Sequence, residues 1–285
     1  MNAAVTDKTF LIVAGQPKAG TTSIFDWIAQ HPDVCASRTK ETRFFLDADY
    51  PLPRSFGFDG TNLGDYAKLF EHPERRVMLE ATPDYMFSPQ FLKVVDLLPN
   101  ARIVVLTRDP VDRVTSAYNF YSQRAKLPKG WSLDDYVSHM AATPVTADTP
   151  APLRVLEQCR PHYLDRLRVC FGERLKVIEF QALRDRPAEV LAEICAFAGL
   201  PPITDITFDN RNKSRGVRYR SFARVFYSLR PRLVYLLQRL RLDRLIPLLR
   251  RAKNRFEAAL SSDLEKTEVS EQTAAAIRAY LEPQP

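Results

Sequence analysis

Phe10-Leu11-Ile12-Val13-Ala14 is an unbroken apolar run that gives way to Gly15-Gln16-Pro17-Lys18-Ala19-Gly20-Thr21-Thr22-Ser23, which predicts a buried strand ending in a tight turn. Ile24, Trp27 and Ile28 then fall on one face of a helix over 21–30, and His31-Pro32 stops it. Val77-Met78-Leu79 predicts a second buried strand, and Arg102–Thr107 a third. Asp109 is a good N-cap and Pro110 a good first residue for a helix running to about Gln123. Further helices are predicted over 65–70, 88–98, 132–142, 153–169 and 187–198, the last closed by Gly199, with a strand at Leu175–Glu179. Over 219–256 apolar positions recur at helical spacing, with breaks at Pro231 and Pro247, and 270–281 forms a final amphipathic helix.

Strands joined by helices predict a three-layer α/β fold, a central parallel β-sheet flanked by helices, with ligands at the carboxyl ends of the strands. The loops after Val13 and after Thr107 both lie at such ends, so they are expected to converge on one ligand. A chain of 285 residues, 45% hydrophobic, accommodates one large domain, read as 1–285, with a core over 8–216 and a basic helical part over 217–285. It contains no run of 18 apolar residues, and its first nine residues lack a signal-peptide layout. The expectation is a cytoplasmic protein. Cys35, Cys159, Cys170 and Cys195 have no CxxC spacing, which predicts reduced thiols and neither a metal site nor a disulfide framework.

The net charge of +7 is concentrated. Between Asn210 and Phe256 fifteen Arg and Lys stand against Asp243 alone. Such density attracts phosphate, sulfate, nucleic acid or an anionic membrane surface. For the helices over 219–256 a solvated face is the first expectation and peripheral membrane contact the second.

The first loop carries the chemistry. Gly15 and Gly20 allow a tight turn, the helix beginning near Thr21 aims free N–H groups at the loop, and Lys18 adds a mobile cation. Gly15 to Thr22 matches the Walker pattern G-x-x-x-x-G-K-[ST], except that Lys18 lies between the glycines and Thr21 takes the usual lysine position. The loop is therefore P-loop-like and built for phosphate.

Pro17-Lys18-Ala19-Gly20-Thr21-Thr22-Ser23, followed by Arg108-Asp109-Pro110-Val111-Asp112-Arg113-Val114-Thr115-Ser116-Ala117-Tyr118 after a later strand, resembles the paired donor motifs of sulfotransferases that use 3′-phosphoadenylyl sulfate (PAPS). Lys40-Glu41 with Phe44-Phe45, and Glu80-Ala81-Thr82-Pro83-Asp84-Tyr85, are similar to segments of the carbohydrate and bacterial branches. Four motifs in the family's order cover about 10–216.

The resemblance implies a sulfonate transferred from PAPS to a hydroxyl, or less readily an amine, of a carbohydrate, glycolipid, lipid or natural product, leaving 3′-phosphoadenosine 5′-phosphate (PAP), without a metal. Pro17, Lys18, Ala19, Gly20, Thr21, Thr22 and Ser23 would hold the 5′-phosphosulfate, with Lys18 at the leaving oxygen. Arg108 and Ser116 would grip the 3′-phosphate, and Lys213, Ser214, Arg215 and Gly216 would close over it. Glu41 would be the base, with Lys40 orienting it or binding the sulfonate; Glu80, Tyr85 and Phe45 would lie at the acceptor. Ala81 stands where the heparan-type branch has a second lysine, which leaves Lys40 or Arg43 to compensate and makes a heparan-like acceptor a poorer match.

Bland alternatives exist for single residues: Arg108 pairing with Asp112 or Asp109, Glu41 with Lys40, Arg38 or Arg43, Phe44 and Phe45 as core, and Glu80 and Tyr85 as structural. The competing functions are a P-loop kinase or nucleotide hydrolase, in which Asp109 imitates a Walker B acid, and a noncatalytic protein that binds anionic membranes. No nucleic-acid partner is expected.

Overall fold

Alternate residues of the first strand, β1 (Thr9–Gly15), enter two different apolar layers. Phe10, Ile12 and Ala14 join Phe44, Phe45, Tyr66, Tyr85 and Phe171 in one layer. Leu11 and Val13 join Ile24, Trp27, Ile28, Leu191 and Ile194 in the other. A strand covered on both faces is apolar at every position, which is why this run shows no alternation. The computed structural model describes residues 8–53, 57–61, 63–203, 206–208, 215–217, 261–263 and 267–282.

The further strands of the central sheet are β2 (Val34–Ala36), β3 (Val77–Ala81), β4 (Arg102–Thr107) and β5 (Leu175–Glu179). The helices, in chain order, are α1 (Thr21–Ile28), α2 (Gly64–Ala67), α3 (Val94–Leu97), α4 (Pro110–Gln123), α5 (Leu133–Ala142), α6 (His162–Phe171), α7 (Phe180–Asp185), α8 (Pro187–Phe197) and α9 (Glu271–Leu281). The sheet has the order β2-β3-β1-β4-β5, with every pairing parallel. Helices α1 and α8 cover one face, and α6 with the 3-10 turn Pro83–Phe87 covers the other. This is the three-layer α/β arrangement expected. From β1 the chain continues to β2 on one side, and from β4 to β5 on the other, so the carboxyl ends of β1 and β4 flank the topological switch point.

The expected helix over 153–169 is not continuous. Two 3-10 turns, Ala151–Arg154 and Glu157–Cys159, precede α6, because Pro161 lacks an N–H and its ring bars a helix from running through it. The expected helix over 88–98 likewise begins as a 3-10 turn, Pro89–Lys93, and only Val94–Leu97 is α-helical. Helix α7 and the antiparallel pair β6 (Arg215–Val217) and β7 (Ser261–Asp263) were not expected. Helix α9 is capped by Ser270 and packs with α4 and α5 in a third apolar cluster that includes Val114, Val137, Met140 and Ile277. All four cysteines are free thiols. The basic helices expected over 219–256 lie outside the described residues, as do Lys213 and Ser214. Among the described residues no helix is long and apolar enough to cross a membrane.

Candidate active site

Gly20 is the N-cap of α1, with φ 89° and no side-chain cap. The N–H groups of the first turn, Thr21 to Ser23, therefore have no capping side chain, and the helix dipole reinforces their pull on an anion. A Cβ on Gly20 would stand 2.7 Å from Leu183 Cδ2, so both conformation and space demand glycine. Lys18 also has a left-handed backbone, φ 71°, which a lysine adopts at a cost typical of functional loops. Its Nζ lies 4.1 Å from the Phe120 ring centroid and meets no carboxylate among the described residues. Burial, then the charges of Arg124 and Arg108, push the Lys18 ammonium down to about 8.

Four hydrogen bonds join this loop to the end of β4, to Arg108 in the loop after it and to the start of α4. Gln16 N donates to Leu106 O (2.7 Å), and Arg108 N to Gln16 Oε1 (3.3 Å). Arg108 Nη1 donates to Lys18 O (3.0 Å), and Arg113 Nε to Pro17 O (3.2 Å). The expected convergence of the two loops is thus built into the fold. Arg108 also lies 4.6 Å from the Phe180 ring and 3.8 Å from Asp112, the ordinary pairing anticipated for it, and its Nε is buried without a partner among the described residues. Ser116 sits half-buried on α4, where no described residue accepts its hydroxyl hydrogen bond.

Lys40 and Glu41 lie across from α1. Lys40 Nζ is 3.4 Å from Thr21 Oγ1 and 3.5 Å from Glu41 Oε1, while Arg43 Nη2 is 3.0 Å from Glu41 Oε2. Burial alone would push the Glu41 carboxyl up, but Lys40 and Arg43 outweigh it and hold the group below its usual range. Burial lowers Lys40 by more than Glu41 restores. A cleft of about 810 Å³ opens over this segment, lined by Thr22, Arg38, Lys40, Glu41, Arg43 and Lys68 among others.

Glu80, Tyr85 and Phe45, for which both a structural and an acceptor-side place were expected, are fully buried. Glu80 accepts hydrogen bonds from Tyr66 (2.8 Å), Tyr85 (3.3 Å) and Thr42, and burial pushes its carboxyl up to about 7. The Tyr85 hydroxyl accepts from Phe45 N at 3.2 Å. Ala81 N donates to Lys40 O at 3.0 Å, fastening the Lys40 backbone to the end of β3. The motif therefore acts as a foundation for residues 40–43.

Three site residues escaped sequence reasoning. Arg113 lies inside the Arg108 motif and Asp84 inside the Glu80 motif, so both were within quoted segments. Gln158 had no local signal. Burial pushes the Asp84 carboxyl up to about 6, and Tyr50 donates to it at 2.8 Å. Among the described residues no cluster of His, Cys, Asp and Glu has the make-up of a metal site.

The match of a family model, the Sulfotransferase domain, over residues 8–228 shows what this loop pair belongs to: the chain is a member of the sulfotransferase family. It is 31% identical over 134 residues to the membrane-associated sulfotransferase kil1 of Dictyostelium discoideum, covering 45% of this chain and 26% of the relative. It is 27% identical over 220 residues to the human bifunctional heparan sulfate N-deacetylase/N-sulfotransferase 3, covering 70% of this chain and 24% of the relative. The chain thus spans about a quarter of the length of these curated relatives. The crystal structure of a sulfotransferase from Alicyclobacillus acidocaldarius superposes with a TM-score of 0.58 and 25% identity, over 80% of this chain and 95% of that one.

Proposed function

We propose that this chain moves a sulfonate from PAPS to a hydroxyl of an organic acceptor, with Lys18 at the leaving oxygen and Glu41 as base. One observation carries the reading. The two loops at the carboxyl ends of β1 and β4 are hydrogen-bonded into one cradle holding Lys18, Thr21 and Arg108, and Lys40 ties that cradle to Glu41. An uncapped helix start, an ammonium that meets no carboxylate and a buried Arg108 Nε that has no partner among the described residues are a donor set suited to phosphate and sulfonate oxygens.

When bound, the donor offers a sulfur joined to a phosphate through one oxygen. The bond from sulfur to that oxygen breaks as a bond from sulfur to the acceptor oxygen forms. Lys18 stabilises the charge growing on the phosphate oxygen, the role that a metal ion would otherwise fill. Glu41, held ionised, takes the acceptor proton, and Lys40 bridges base and cradle as the compensating cation for Ala81. Arg108 and Ser116 supply a fork and a hydroxyl for the 3′-phosphate, which requires Arg108 to release part of its hold on Asp112. Glu80, Tyr85 and Phe45 keep residues 40–43 in register from below. The acceptor class is a carbohydrate, glycolipid, lipid or natural product.

Thermal stability measured with PAP and with ATP plus magnesium tests the donor assignment. Stabilisation by PAP is expected; stabilisation by ATP with magnesium and none by PAP would assign the loop to a nucleotide kinase or hydrolase instead.

A further inference from the structure

Among the described residues Arg113 is one of the largest fully buried side chains, 1% exposed, and no carboxylate lies within 4.0 Å of it. Its donors go to neutral acceptors only: Pro17 O (3.2 Å), Val155 O (3.2 Å), Cys159 Sγ (3.0 Å) and Gln158 Oε1 (3.2 Å). Burying a cation without an anion is costly, and proteins ordinarily place a carboxylate beside it. Here Asp84, whose carboxyl feels the Arg113 charge, is linked to it only through two intervening side chains. Gln158 Nε2 donates to Tyr50 OH at 3.2 Å, and Tyr50 OH donates to Asp84 Oδ1 at 2.8 Å. The guanidinium meanwhile presses on the carbonyl of Pro17, the residue that precedes Lys18 in the cradle.

We propose that Arg113 is a positioning residue and a second donor-side cation that acts through the loop, its guanidinium left without a contacting carboxylate beneath Pro17 so that the anionic donor supplies the nearer counter-charge. This rests on the reading of the loop as a phosphosulfate site. The hydrogen bonds hold the Pro17 carbonyl away from the donor, and the charge adds to the potential that Lys18 and Arg108 create above it. The Gln158–Tyr50 spacer keeps the Asp84 carboxylate out of contact with the guanidinium, so Asp84 offsets that charge only from a distance.

Calorimetric titration with PAP, at constant ionic strength, tests the inference on four variants alongside chemical denaturation of each. Gln158→Glu places a carboxylate against Arg113 Nη2. PAP affinity is expected to fall roughly tenfold, the order for two unit charges about 12 Å apart at an effective dielectric constant of about 20. Gln158→Leu removes the same hydrogen bond without adding charge and should lose clearly less. Arg113→Lys, which keeps the charge, should bind PAP about tenfold more tightly than Arg113→Met. Equal affinities within either pair of folded variants would make Arg113 a structural tie and overturn the proposal. A wild-type protein that does not bind PAP at all would instead overturn the donor reading beneath it.

Discussion

The Lys40 ammonium stands 3.4 Å from Thr21 Oγ1, so a single side chain joins the first turn of α1 to the segment carrying Glu41. Its backbone is fixed by Ala81, the position at which the heparan-type resemblance implies a lysine. A cation is thus present at this junction although position 81 cannot supply it. We predict that Lys40→Met lowers transfer tenfold to a hundredfold while PAP affinity changes by no more than a few-fold, because the interaction matters most when charge moves between donor and acceptor. Single-turnover transfer from labelled PAPS, set beside PAP titration, checks this. A loss confined to PAP binding would place Lys40 in donor recognition alone.

Lys18 predicts a pH dependence of donor binding. Its ammonium titrates at about 8 in the free protein, and an anionic ligand favours the protonated form. Affinity for PAP should therefore be constant below pH 7 and decline as pH rises through 8, with proton uptake measurable when titrations at pH 8.5 are repeated in buffers of different ionisation enthalpy. Lys18→Met should abolish the uptake. A wild-type affinity that is flat from pH 7 to 9 would refute the expected coupling.

Glu41 and Asp84 can be told apart as bases. Lys40 and Arg43 hold Glu41 ionised below its ordinary value of 4.5, whereas burial puts Asp84 at about 6. If Glu41 takes the proton, the acid limb of the transfer rate lies below pH 4.5, and Glu41→Gln loses transfer by about a hundredfold or more while keeping donor affinity. An acid limb near pH 6 that disappears in Asp84→Asn would move the role to Asp84.

Glu80 links stability to pH. Its folded-state value, about 7, lies above its ordinary 4.5, so the folded protein binds this proton more tightly than the unfolded chain. The contribution is fully present below pH 4.5 and is lost as pH rises through 7, amounting to about 3 kcal/mol at most. Glu80→Gln mimics the protonated form and should show a smaller decline between pH 5 and pH 8 than wild type in urea denaturation. Parallel declines in both proteins would show that Glu80 is not the group responsible.

The donor side of the site was legible because its information is local. Gly15, Lys18 and Gly20 sit within six consecutive residues between a strand and a helix, and Asp109-Pro110 announces the second loop unaided. Residues 40–43 were recognisable as a cluster held by the buried Phe44 and Phe45, but whether Glu80 and Tyr85 were structural or faced the acceptor was not, since a motif does not say which of its side chains face inward. Gln158 reaches Arg113 from 45 residues away on a segment whose periodicity pointed to a helix, and Pro161 was the local sign that it would not be one. Arg113 is the instructive omission. Charged residues in a motif are read as ligand contacts or surface, and this one is neither.

The most direct test of the account is incubation of cell extract with the enzyme and isotopically labelled PAPS, followed by mass spectrometry. The account predicts organic products carrying the labelled sulfonate, formed in step with PAP and missing when Lys18→Ala replaces wild type. Labelled sulfonate found only as inorganic sulfate, or organic products that form equally with Lys18→Ala, would contradict it.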